Sequence, residues 1–222
     1  MGRDCDNRRR NTWPMSAQPA SSTARGTGEE RDGRAVRAER TRQAIVDALL
    51  TLLESGEVRP TADQIAGAAG VSTRSVFQHF PDREDLLAAA GQRQYERIAP
   101  LLVELPDTGP LPARLDALVD QRARVLDAIT PVRRAALMME PLSPTVQGQL
   151  AEVRKVAAEE IARVFATELD PLEAAEREQL HAALTACAAW PMWNSLRVEQ
   201  GLDHDQARAV LRRTLASLLG VD

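Results

Sequence analysis

The segment TADQIAGAAGVSTRSVFQHF, residues 61–80, constrains the fold of this chain more than any other stretch. It holds two short apolar-patterned runs separated by Gly70, Val71 and Ser72. Thr61 followed three residues later by Gln64 is a capping-box pair, so a helix is expected to start there. Ile65, Ala66 and Ala69 supply its inner face. Gly70 ends it in a left-handed conformation that glycine adopts at no steric cost. Ser72 caps a second helix, which Pro81 stops. Two short helices joined by a tight glycine-containing turn make a helix-turn-helix. Ala66 is small where the helices cross, and Val71 and Val76 plug the space between them. Such packing holds the second helix rigidly, so that its N-terminal side chains enter a major groove. Those side chains are Thr73, Arg74, Ser75 and Gln78. Arginine bonds a guanine edge, glutamine an adenine edge, and serine or threonine either.

The remaining pattern is helical. Ala44, Ile45, Ala48, Leu49, Leu52 and Leu53 form one stripe of a helix that precedes the motif, and Gly56 stops it. Asp82 caps a fourth helix running to about Pro100. Further helices are expected near 111–129, 131–140, 143–169, 171–200 and 203–219, with Pro131, Pro144 and Pro171 at helix starts. Asp203 and Gln206 make another capping-box pair. Val210, Leu211, Thr214, Leu215 and Leu218 continue a helical stripe. No stretch alternates with period two beside turn signals. The expected fold is all-α, with roughly nine helices in total. A three-helix helix-turn-helix domain spans 34–85, with the motif at 61–80, and a helical bundle spans 86–222. Residues 1–33 are rich in Pro, Ser, Gly and charge and read as a disordered arm.

The charge is uneven. Residues 1–83 carry 13 Arg against 11 acidic residues, a net of +2, and residues 84–222 carry a net of −6. A mildly basic N-terminal third can bind DNA on an acidic body, because charges well beyond a Debye length of about 8–10 Å are screened. No apolar run approaches the ~20 residues of a membrane helix, and no secretory h-region is visible. A cytoplasmic location without membrane contact is the expectation. Cys5 and Cys187 lie far apart and form no disulfide or metal framework. The chain has no H-E-x-x-H, G-x-S-x-G, phosphate-cradling glycine loop or paired-cysteine motif. Neither an enzyme nor a cofactor or metal site is expected.

Thr61, Ile65, Ala66, Ala69, Gly70, Val71 and Ser72, followed by Ser75, Phe77, His79, Phe80, Arg83 and Leu86, resemble the N-terminal domain of the TetR (tetracycline repressor) family of transcriptional regulators. The resemblance covers about 36–98. The later helices match only in number, length and order. The resemblance implies a homodimer that binds a double-stranded DNA operator through two helix-turn-helix units. It further implies a small hydrophobic ligand in the C-terminal domain that releases the DNA. Thr61, Phe77, His79 and Arg83 match positions that touch phosphate or brace the motif. Phe77 stands where the family often has Tyr, which makes it a packing residue alongside Phe80. Thr73 stands where the family often has Lys, and Arg74 supplies a cation one place later. The alternative is a helix-turn-helix regulator without a small-molecule ligand, either constitutive or controlled by a protein partner.

Arg37, Arg40 and Arg42 open the first helix, where cations oppose the helix dipole. A nearby phosphate would offset that placement, and a solvated face is the competing reading. In the C-terminal part, Trp190 and Trp193 flank Pro191 inside an expected helix, where proline should produce a kink. These aromatics either line a pocket or pack in a core or dimer interface. Met138, Met139 and Phe165 are further pocket candidates. Ala182, Ala183, Ala186 and Ala189 form a small-residue face. With the last helix they suggest homodimerisation through the last two helices as a four-helix interface. His204 follows the cap Asp203 and is expected to be exposed.

Overall fold

The computed structural model describes residues 28–221. Among these the secondary structure is helical, with no strand. The ten α-helices are α1 (Gly28–Glu54), α2 (Ala62–Ala69), α3 (Thr73–His79), α4 (Arg83–Ile98), α5 (Leu111–Met139), α6 (Pro144–Val164), α7 (Ala166–Leu169), α8 (Ala174–Cys187), α9 (Trp190–Asn194) and α10 (His204–Leu218). The chain divides into two compact units. One runs to residue 94 and takes in 134–146; the other holds 95–133 and everything from 147 onward.

α1 begins six residues before the change of pattern at Arg34. Residues 33–40 are exposed, so this part of the helix carries no apolar stripe that a sequence pattern would register. Residues 1–27 of the expected arm, with Cys5, lie outside the described residues. In the first unit Ile45, Leu49 and Leu53 of α1 are buried, as are Ile65 and Ala66 of α2, Val76 of α3, Phe80, and Leu86 and Leu87 of α4. An Arg93–Asp47 ion pair at 3.0 Å ties α4 to α1 on the outside.

The second unit differs from the sequence expectation at its prolines. Pro131 starts no helix: it lies inside α5, which runs unbroken over 29 residues. Proline has a helical φ and forfeits one backbone bond without forcing a break. The preceding Thr130 turns its hydroxyl back to the Leu126 carbonyl at 2.6 Å. Pro171 sits in a turn, and α8 begins only at Ala174. The expected helix 143–169 is interrupted at Phe165, whose φ of −110° and ψ of 25° leave the α region. Pro191 does not kink a long helix. Ala189 is extended, the helix restarts at Trp190, and proline occupies the first turn, where an N–H is dispensable. A π-helical turn, Ser195–Glu199, follows, with Gln200 N–H reaching Ser195 O at 2.9 Å.

The core of this unit gathers Leu115, Leu118 and Leu126 of α5, Ile161 of α6, Phe165, Leu184 of α8, Trp190 and Trp193 of α9, and Leu211 and Leu215 of α10. Charged groups of α5 fasten the surrounding elements to it. Arg114, almost fully buried, forks onto Glu168 of α7 and also donates to the Val164 and Gly109 carbonyls. Arg122 donates to Glu160 of α6 at 2.8 Å. Asp120 and Asp116 accept from Arg208 and Arg212 of α10. Asp127 is the most connected: Oδ1 accepts from Trp193 Nε1 at 2.8 Å and Arg197 Nε at 3.2 Å, and Oδ2 meets His204 Nδ1 at 2.6 Å. His204 is therefore half-buried and paired, contrary to the exposed position expected beside a cap. Its ring meets Trp193 edge-on, centroids 5.7 Å apart. Burial raises the Asp127 carboxyl, but the hydrogen bonds from His204, Trp193 and Arg197 outweigh it and hold the group below its ordinary value of 3.8.

A carboxyl lowered in the folded state stabilises the fold above its unfolded value and loses that contribution as pH falls through the lower folded value. Asp127→Asn is therefore expected to cost about 1–2 kcal/mol at neutral pH. It should also flatten the acid side of the stability profile below pH 3.8. Urea unfolding of both proteins across that range reads the difference; parallel profiles would contradict it. In the first unit, Gly70→Ala should cost about 1–2 kcal/mol through backbone strain alone. Its φ is +68°, and a Cβ there would meet no atom within 4 Å. The midpoint shift in urea measures this.

Candidate nucleic-acid interface

The helix-turn-helix is built from reciprocal caps. Gln64 N–H donates to Thr61 Oγ1 at 3.2 Å and Thr61 N–H to Gln64 Oε1 at 2.8 Å, closing the capping box of α2. At the other end Gly70 is left-handed, and Val71 N–H returns to the Ala66 carbonyl at 3.0 Å. Ser72 then caps α3, accepting Ser75 N–H on its hydroxyl at 3.1 Å. Phe80 N–H bonds to Val76 O at 2.8 Å and closes the last turn. Val76 and Phe80 are fully buried, Ile65 and Ala66 nearly so, and Val71 and Phe77 half-buried.

On this frame Arg74 and Gln78, four residues apart, stand exposed on one face of α3. Ser75 is half-buried beside them. Thr73 is half-buried, and its hydroxyl donates to Asp63 Oδ1 of α2 at 2.7 Å. Thr61 uses an oxygen lone pair for capping, so its hydroxyl proton remains free for an acceptor such as a phosphate. His79 is half-buried, and its backbone carbonyl accepts from Arg42 Nη1 of α1 at 3.1 Å. Arg83 is exposed overall, with one guanidinium nitrogen 3.8 Å from Met139 Sδ. Its neighbour Glu84 accepts from Ser143 Oγ at 2.6 Å and Thr145 N–H at 3.2 Å. Burial raises the Glu84 carboxyl, but these bonds and the Arg83 charge bring it below its ordinary value.

The five pocket candidates do not gather in one unit. Met138 and Met139 belong to the unit of the helix-turn-helix, where they line a cavity of about 310 Å³ with Leu49, Ile65, Phe77, Arg83 and Leu87. Met139 is nearly buried and Met138 half exposed. Phe165, Trp190 and Trp193 are buried in the core of the other unit. There, Trp190 donates from Nε1 to Thr130 Oγ1 at 3.1 Å, and Arg133 lies 5.5 Å from its ring centre. A cavity of about 430 Å³ in that unit is lined by other residues, among them Leu169, Arg177, Glu178 and His181. On α8, Ala182 and Ala186 are exposed and Ala183 is half-buried; Ala189, also half-buried, lies beyond α8 as the residue that caps α9.

Asp63, Arg42 and Asp127 were not anticipated by the sequence reading in the contacts they make. Each works through a partner 10 to 77 positions away. The only sequence signal was weak: an acidic residue in the first turn of α2, and an arginine three residues before the first buried position of α1.

Residues 45–90 match the family model described as bacterial regulatory proteins, tetR family. Over 86 residues the chain is 35% identical to the HTH-type transcriptional repressor LfrR of Mycolicibacterium smegmatis, covering 38% of this chain and 44% of that one. Over 116 residues it is 34% identical to the uncharacterized HTH-type transcriptional regulator Rv2912c of Mycobacterium tuberculosis, covering 50% and 58%. The chain thus spans about half the length of the curated relatives it matches. A tetR-family transcriptional regulator from Streptomyces coelicolor superposes with a TM-score of 0.64 at 26% identity, over 81% of this chain and 80% of that one. A transcriptional regulator from Rhodococcus sp. Rha1 shares the fold, with a TM-score of 0.63 at 19% identity over 82% and 96% of the two chains. The capped helix-turn-helix thus lies within the residues that match the tetR-family model, and the all-α architecture is similar to that of the tetR-family regulator from Streptomyces coelicolor.

Proposed function

We propose that this chain is a DNA-binding transcriptional regulator, a repressor that occupies its operator as a homodimer. The observation that carries the reading is the face of α3. Arg74 and Gln78 project from a helix whose first turn is capped by Ser72 and whose last turn is anchored by buried Val76 and Phe80. These two side chains have the chemistry to read guanine and adenine edges. Thr61, Thr73, Ser75, His79 and Arg83 surround them as phosphate-binding or bracing groups. The resemblance to LfrR, a repressor by name, supports repression. Dimerisation through α8 and α10 would set two α3 helices about 34–36 Å apart, one turn of duplex.

Release by a small hydrophobic ligand is the finer part of the reading. α4 starts within the helix-turn-helix unit and runs into the other, so it is the element through which such a ligand would act. A coupling of ~1–3 kcal/mol is typical of such switches. A regulator without a small-molecule ligand is the competing form. One observation favours it: both indole N–H groups of the proposed aromatic pocket already have partners in the core. Because Trp193 is nearly fully buried, Trp193→Phe is the usable probe of ligand response, since Trp193→Ala would first create a cavity.

A fluorescence-anisotropy titration onto DNA from the intergenic region upstream of its own gene tests the regulatory reading. The wild type should bind tightly and prefer that DNA over random duplex. Affinity should fall by roughly 0.9 log units per log unit of salt for each phosphate neutralised. Arg74→Ala should cost about 1–3 kcal/mol in specific binding and relax the preference at one base pair. Equal losses on specific and random DNA would remove the base-reading role of Arg74.

A further inference from the structure

α3 has seven residues, too few for a helix to persist on its own, and its last carbonyls need partners. Val76 O is satisfied by Phe80 N–H. His79 O is satisfied from outside the motif, by Arg42 Nη1 of α1. The same guanidinium lies over the Phe80 ring, with Cζ 4.1 Å from the centroid. Phe80 is fully buried, so the ring offers a fixed platform. One side chain therefore holds two consecutive residues where α3 ends, one by its backbone and one by its ring. A cation at that end of the helix also complements the dipole. Gln78 is the residue just before His79, and Arg74 lies one turn earlier on the same exposed face.

We infer that Arg42 is a positioning residue for DNA recognition: it locks the C-terminal turn of α3 through the His79 carbonyl and the Phe80 ring, and so fixes the direction in which Arg74 and Gln78 point. This rests on the DNA-binding reading above and departs from a phosphate-contacting role for the arginines of α1. The planar fork matters: it supplies the flat face for the ring and an in-plane N–H for the carbonyl. Lysine at this position keeps the charge and loses the shape.

The test compares full-length wild type, Arg42→Met and Arg42→Lys in two measurements. Amide hydrogen exchange without DNA reads the clamp directly. The Met variant should exchange over residues 76–80 roughly tenfold faster, as expected for losing one charged hydrogen bond and one cation–π contact. The Lys variant should fall between it and wild type, and it serves as the probe if the Met variant does not fold. Anisotropy titrations at several salt concentrations read the consequence. Specific affinity of the Met variant should drop roughly tenfold, binding to random duplex should change less than about twofold, and the salt slope should stay at the wild-type value. A slope reduced by about 0.9, with specific and random binding weakened alike, would make Arg42 a phosphate contact and overturn the inference. Unchanged exchange at 76–80 would overturn it as well. If the wild type itself shows no sequence preference, the DNA-binding reading fails; exchange would then still decide whether the clamp exists.

Discussion

A helix of seven residues cannot hold its own shape in water, because nucleation fixes several dihedral angles for few hydrogen bonds. α3 nevertheless has to be the most rigid part of the molecule if it is to read bases. Every feature around it supplies order from elsewhere. Ser72 satisfies a donor at its start, Asp63 holds the Thr73 hydroxyl, and Val76 and Phe80 sink into a core made with α1, α2 and α4. The left-handed Gly70 sets the angle between the two helices. The exposed face is thereby relieved of any structural duty, and polar residues can occupy it freely.

The second unit uses a different device. α5 carries the apolar residues of its core, yet the neighbouring elements are fastened to it mainly by charged groups: Arg114 to α7, Arg122 to α6, and Asp116, Asp120 and Asp127 to α10 and its approach. Exposed pairs of this kind add little stability, typically below 1 kcal/mol each. The Arg114 fork is buried, and losing one partner there would strand a charge. Such pairs specify which helix lies against which part of α5. The acidic residues of these pairs are matched by arginines of the same segment, so the net charge of −6 over residues 84–222 is carried by other carboxylates.

The legible parts of the fold are those set by near neighbours. The capping boxes at Thr61 and Asp203, the cap at Ser72 and the turn at Gly70 depend on residues within three or four positions, and all of them form as the sequence indicates. The stripe of α1 is readable for the same reason. Proline misleads because its local rule has two solutions. At Pro144 a helix starts, at Pro131 one continues, and at Pro191 the chain breaks beforehand and restarts. Packing, which the local sequence does not contain, selects among them. The pairings of Arg42 with His79, and of His204 with Asp127, are long-range for the same reason. Within the candidate site, the helical spacing that puts Arg74 and Gln78 on one face is legible in the sequence, whereas the contacts of Arg42 with His79 and of Asp63 with Thr73 are not.

The two tryptophans of the described residues, Trp190 and Trp193, both lie in the core of the second unit. The first unit, within the described residues, contains none. Intrinsic emission therefore reports one half of the molecule, apart from any signal of Trp13, while far-ultraviolet circular dichroism reports the helices of both. The chain carries its own two-channel readout. Coincident unfolding curves in the two channels would mean that the continuous helices α4, α5 and α6 make the units melt as one. Separated curves would mean that the helix-turn-helix unit opens on its own schedule.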